Sequence, residues 1–287
     1  MPMLFSFKGG KRAKPAKQRE AIQIREERRN LLTPKSDFFI REAYKTLRTN
    51  VSFSLTGDEK SKIIVVTSSQ QSEGKSITAT NLAISYAQTD RKVVLIDCDL
   101  RRPKLARLLQ LNNPIGLSNI LMTPDLRDSA IIDTGLPNLD VILSGDIPPN
   151  PSELLSSPRM QRLLTSLRKQ YDYIILDTPP INMVIDAVVL APNSDGVLFV
   201  VRAGLAERGA IIHAVEQLEY AKAKILGFVL NGMELAKTNY GYSKNRYRRY
   251  GRYGRYGYGG YGYGGYGYGY SSRHPQPQPP TDNQNHG

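Results

Sequence analysis

Two hydrophobic periods alternate along the middle of the chain. Six short runs are almost continuously apolar: 63–67 (IIVVT), 92–97 (KVVLID), 139–143 (LDVIL), 173–177 (YIILD), 196–201 (GVLFVV) and 225–231 (ILGFVLN). Runs of this length, rich in β-branched residues, predict strands. Between them, 77–87, 158–169 and 207–220 read as helices, and 36–51 reads as a helix ahead of the first strand. Strands that are apolar at nearly every position have both faces covered. The pattern therefore predicts an α/β domain over residues 36–236, a mostly parallel sheet with helices on both faces.

The polar breaks carry the chemistry. After the first run comes SSQQSEGKS, and a helical pattern begins near Ile77. Strand, phosphate-sized loop and helix follow in the order of a P-loop, where loop amides and a helix N-terminus point positive charge at an anion. The strict pattern places Gly six residues before the lysine, and this chain has Ser69 there. Two further breaks end in carboxylates. VVLIDCDLRRP sets Asp97 and Asp99 two residues apart at the end of the second run, and YIILDTPP sets Asp177 at the end of a later one. An Asp after a strand is commonly a turn or cap residue. Three of them beside Lys75 and Ser76 form a set suited to a nucleotide and Mg2+.

Charge locates the partners. The net charge of +13 is unevenly spread: residues 1–35 and 237–287 carry +7 each, and the middle carries −1. The basicity belongs to two flanking segments, a basic N-terminal arm and a tail, both of disorder-promoting composition. The single cysteine, Cys98, excludes an internal disulfide and fits a reducing compartment. No signal-peptide core precedes the basic residues and no segment approaches a membrane span, so the expected location is cytoplasmic.

The tail is NYGYSKNRYRRYGRYGRYGYGGYGYGGYGYGYSS and a Pro/Gln-rich end; 12 of the 17 tyrosines fall between Tyr240 and Tyr270. Dense glycine works against helix and strand and leaves the rings accessible. Such a strip can be a phosphorylation substrate, a single-stranded nucleic-acid binder with bases stacked on rings, or a sticky segment with no partner.

The loop SSQQSEGKS, the motif VVLIDCDLRRP, the motif IILDTPP, the stretch SGDIPPNPSELLSSPRM (144–160) and the terminal tyrosine cluster together resemble the bacterial tyrosine kinases (BY-kinases) of capsule and exopolysaccharide assembly. The resemblance implies a P-loop fold and an ATP- and Mg2+-dependent tyrosine autokinase that controls polysaccharide production. It implies that Gln71, Ser72, Glu73, Gly74, Lys75, Ser76 and Ile77 bind the nucleotide, with Lys75 on its β- and γ-phosphates. Ser76, Asp99 and Asp177 would hold the metal, and Asp97 would accept the tyrosine proton. The modified residues would be Tyr256, Tyr258, Tyr261, Tyr263, Tyr266, Tyr268 and Tyr270. Implied partners are a membrane-bound activator or polysaccharide co-polymerase at the inner face of the membrane, other copies of the chain in a ring, and a phosphotyrosine phosphatase, with no nucleic acid. The competing family is the partition and division-site ATPases, read here with a nucleic-acid-binding tail. Their loop carries a second lysine where this chain has Gln70.

In the helix ahead of the first strand, Phe39, Ile40, Ala43, Tyr44, Leu47 and Val51 are expected to face the core, with Glu42, Lys45 and Arg48 outward. The BY-kinases resemble this with a Glu-x-x-Arg-x-x-Arg pattern used in self-association; Lys45 stands at its middle Arg. An i,i+3 ion pair on a solvated face explains the same residues. Cys98 and His213 read as packing residues.

Overall fold

The computed structural model describes residues 25–26, 28–55 and 60–233. The tyrosine-rich tail, with its seven candidate phosphorylation sites, and most of the basic N-terminal arm lie outside the described residues. In chain order the elements are α1 (Phe38–Ser54), β1 (Lys62–Ser68), α2 (Lys75–Ala87), β2 (Val93–Asp97), α3 (Leu105–Leu109), α4 (Leu117–Met122), α5 (Arg127–Ala130) and β3 (Ile131–Asp133). They continue with β4 (Leu139–Ile142), α6 (Pro151–Leu155), α7 (Pro158–Leu167), β5 (Tyr173–Asp177), α8 (Asp186–Leu190), β6 (Gly196–Arg202), α9 (Arg208–Tyr220) and β7 (Ile225–Asn231).

The strands form one seven-stranded sheet in the order β3-β4-β2-β5-β1-β6-β7. Every neighbour pair is parallel except β3 against β4. Side chains alternate between two cores. Ile63 and Val65 of β1, Val94 and Ile96 of β2, and Ile174 and Leu176 of β5 face one helical layer; Ile64 and Val66, Val93 and Leu95, and Ile175 face the other. This is why those runs show no polar alternation: a strand between two helical layers has no solvent face. One layer includes α7, whose Met160, Leu163, Leu164 and Leu167 are buried, and α9, which contributes Ala214 and Leu218. The other is built on α2, buried along its whole length. Ser157 caps α7, accepting from the Met160 amide, and Pro158 follows at the first helical position.

The chain leaves β1 for β2 on one side and β5 for β6 on the other, so the carboxyl ends of β1, β2 and β5 open a crevice between diverging connections. All the chemical motifs converge there.

Helix α1 departs from expectation. Val51 is buried and Tyr44 and Leu47 are partly buried against the second core, but Phe39, Ile40 and Ala43 are exposed. The helix is held to α2 through its later turns, where Ser85 Oγ donates to Tyr44 O and Ser52 meets the Tyr86 hydroxyl. The first turns lie outside that contact. Arg48 is not outward either: its Nη1 donates to Ser85 O at 2.5 Å and to Ser85 Oγ at 3.3 Å. Each i,i+3 step falls about 60° short of a full turn, so two steps from Glu42 bring Arg48 round to α2. Glu42 and Lys45 remain exposed and pair at 2.7 Å. His213 is exposed on α9 and hydrogen-bonded to Asn182 at 3.0 Å, so it is a surface residue, whereas Cys98 is fully buried.

Candidate nucleotide and phosphoryl-transfer site

The loop between β1 and α2 is shaped for an anion. Gly74, the residue before α2, has φ +93° and puts no side-chain cap on the helix, so the first-turn amides of α2 are left to another acceptor. A Cβ on Gly74 would meet Asn231 Nδ2 at 1.9 Å, a second reason for glycine there. Ser72 also takes a left-handed φ of 64°. The departure at Ser69 has a physical account. Its hydroxyl donates to Glu73 at 2.6 Å and its amide reaches the other carboxylate oxygen at 3.3 Å, bracing the loop across its width. Glu73 is buried, which raises its pKa; the Ser69 hydrogen bonds offset part of that rise. From the outside, Arg202 Nη1 donates to Ser72 O and Asn231 Nδ2 to Glu73 O, each at 2.9 Å.

Opposite the loop stand the carboxylates. Asp97 and Asp177 are in register at the ends of adjacent parallel strands, both fully buried. Asp97 accepts from the Asp99 amide at 3.2 Å and the Leu105 amide at 3.1 Å. Asp99 accepts from the Arg102 amide at 3.0 Å and lies 3.5 Å from Lys75 Nζ, with both side chains nearly buried. Burial, reinforced by Asp177 and Asp99, holds Asp97 well above the usual carboxylate range. Burial also pushes Asp177 up to about 6, against the opposing pull of Lys75 and the nearby Ser76 hydroxyl.

Asp177 tests whether the site fits a cation. Neither of its carboxylate oxygens has a hydrogen-bond partner of acceptable geometry, although both are buried. A buried carboxylate in that condition is costly unless a positive group satisfies it. Among the described residues no three His, Cys, Asp or Glu side chains converge as a metal cage. Mg2+ usually takes one or two carboxylates and fills its remaining positions with phosphate oxygens and water. The residues present fit Mg2+ accompanied by a nucleotide.

The structure thus gathers Gln71, Ser72, Glu73, Gly74, Lys75, Ser76, Asp97, Asp99 and Asp177 around one crevice, with Ile77 in the first turn of α2. Glu42 and Lys45 lie elsewhere, on α1. Sequence reasoning missed the loop's outer supports, Arg202 and Asn231. Both sit at strand ends, the signal that had exposed the aspartates. It also missed the Arg101–Asp186–Ser152 cluster, for which no local signal exists.

Comparison with known proteins agrees with this geometry. A family described as AAA domain matches residues 61–227. The chain is 42% identical over 202 residues to tyrosine-protein kinase YwqD of Bacillus subtilis, covering 70% of this chain and 85% of that one. It is 38% identical over 210 residues to tyrosine-protein kinase CpsD of Streptococcus agalactiae, covering 72% and 90%. Among solved structures, the kinase domain of Escherichia coli tyrosine kinase Etk superposes with a TM-score of 0.66 at 38% identity, covering 71% of this chain and 80% of that one. The fold and site define a P-loop nucleotide-binding protein. Within that class the chain belongs to the bacterial tyrosine kinases, and its activity is that of a protein-tyrosine kinase.

Proposed function

We propose that this kinase uses Mg-ATP to phosphorylate tyrosines of its own C-terminal segment, Tyr256, Tyr258, Tyr261, Tyr263, Tyr266, Tyr268 and Tyr270, and so regulates capsular or exopolysaccharide production. The observation that carries the site assignment is the orphaned, buried Asp177 carboxylate facing Lys75 and the uncapped start of α2. The backbone from Gln71 to Ser76, extended into α2 at Ile77, cradles the phosphates, and Lys75 neutralises the β- and γ-groups. Ser76, Asp99 and Asp177 hold Mg2+, which when bound supplies further neutralisation of the charge spread over the transferred group. Asp97 accepts the tyrosine proton, its proton affinity raised by burial and by its carboxylate neighbours. Each of its oxygens accepts one backbone amide, which leaves each a further lone pair for the incoming proton.

Among the described residues no helix is long and apolar enough to cross a membrane. On the family's pattern, a membrane-bound activator or polysaccharide co-polymerase recruits the kinase to the inner face of the membrane, a phosphotyrosine phosphatase reverses the reaction, and copies assemble in a ring. The exposed Glu42–Lys45 pair on α1 is the contact available for that assembly, because Arg48 is committed to Ser85.

Two variants test the assignment. Lys75→Met should lose phosphoryl transfer together with phosphate affinity. Asp97→Asn should keep nucleotide binding and lose transfer. Full tail phosphorylation by purified Asp97→Asn removes that residue from the role of base.

A further inference from the structure

We propose that Arg101, gripping Asp186 and Ser152, is a positioning residue that holds the carboxylate-bearing turn after β2 in place for phosphoryl transfer. The inference rests on the reading that Asp97 and Asp99 act at the reaction centre. The turn, residues 98–104, is tied down internally by the same carboxylates. Asp97 Oδ1 and Oδ2 accept from the amides of Asp99 and Leu105, Asp99 Oδ1 accepts from the amide of Arg102, and Asp99 Oδ2 faces Lys75. Every one of these bonds ends on a carboxylate that the site assignment also uses.

The Arg101 grip does not use them. Its Nε donates to Asp186 Oδ2 at 2.9 Å and its Nη2 to Asp186 Oδ1 at 3.2 Å, a two-pronged fork. Ser152 closes the ring: its hydroxyl donates to Asp186 Oδ1 at 2.5 Å and accepts from Arg101 Nη2 at 2.8 Å. Asp186 is fully buried at the start of α8, and Ser152 lies in α6. The turn is thereby bolted to two elements outside the nucleotide loop. A planar guanidinium suits this task because it engages both oxygens of a carboxylate at once, which an ammonium cannot do.

A purely structural ion pair would have the same geometry, so the test must separate positioning from folding. Initial rates of tyrosine phosphorylation are measured on the full chain with Mg2+ across a range of ATP concentrations. Arg101→Lys keeps the charge and loses the fork. It should lower kcat by about 10- to 100-fold, the cost of a small misplacement near the reacting groups. KM for ATP should move by less than about threefold, since Lys75 and Ser76 are untouched. Ser152→Ala should lower kcat in the same direction, and Ser152→Thr, which keeps a hydroxyl, should restore it. An unchanged kcat in Arg101→Lys overturns the proposal; so does a parallel loss of kcat, nucleotide affinity and melting temperature. Where Arg101→Lys fails to fold, the Ser152 pair decides, and equal kcat values for Ala and Thr overturn the proposal. Asp97→Asn in the same assay separates the two readings. Full activity there removes the site assignment itself, whereas loss of activity there with an unaffected Arg101→Lys removes only the Arg101 role.

Discussion

Asp177→Asn should stabilise the nucleotide-free enzyme while destroying its activity. In the wild type the Asp177 pKa rises from an ordinary 3.8 to about 6, burial being the main cause. A carboxyl whose pKa rises on folding contributes stability below its unfolded pKa and loses that contribution as pH climbs through the folded value. At about pH 7.5 the ionised group therefore costs on the order of 3 kcal/mol, at about 1.4 kcal/mol per pKa unit. Asparagine removes the charge but still demands hydrogen bonds, so a net gain of roughly 1–3 kcal/mol is expected. For a unit of this size that is a rise of about 2–4 °C in Tm per kcal/mol. At about pH 4.5, where folded wild type is protonated but the unfolded chain is still largely ionised, that cost should fall to about 1 kcal/mol and the gap should narrow accordingly. The assay is thermal melting in EDTA at both pH values, repeated with Mg-ADP, which should favour the wild type by mass action. An asparagine variant no more stable than wild type at neutral pH, with a gap that ignores pH, would refute the view of Asp177 as an unsatisfied buried charge awaiting a cation.

On α1, Arg48→Ala should cost roughly 1–2 kcal/mol in urea melts, since it breaks a partly buried charged hydrogen bond, while Lys45→Ala should cost about 0–1 kcal/mol; equal costs would contradict the inward placement of Arg48. If copies in the ring phosphorylate one another's tails, an active chain lacking residues 237–287 should phosphorylate a Lys75→Met chain with an intact tail, and a substrate chain left unmodified at high concentration sinks that arrangement. The tail's side chains sum to +7, and each phosphate adds about −1.5 to −2, so roughly four phosphates neutralise it. Replacing equal numbers of tyrosines by Phe in different groups should then change partner binding in proportion to phosphate count, and a response carried wholly by one tyrosine would defeat the charge-count mechanism.

The central fold was legible because its six long strands are apolar at nearly every position, and each predicted run falls on an observed strand to within about a residue. The seventh strand, Ile131–Asp133, has three residues and a half-buried edge position, too little for any period to register. The same holds for α3, α4, α5, α6 and α8, none longer than six residues. Lys75, Ser76, Asp97, Asp99 and Asp177 could be read because a polar residue just after a buried strand marks the ligand edge of such a sheet. The Arg101–Asp186 grip joins residues 85 apart in sequence and has no local signature. Helix α1 misled for a related reason. Its apolar spacing is real, but which turns find a partner depends on where it meets α2.

The most direct measurement is intact-mass and phosphopeptide mass spectrometry of the purified chain after incubation with Mg-ATP. The account predicts several added phosphates, all on tyrosine, concentrated between Tyr256 and Tyr270, and absent from the Lys75→Met chain. An unmodified tail, with ATP converted only to ADP and free phosphate, would contradict it.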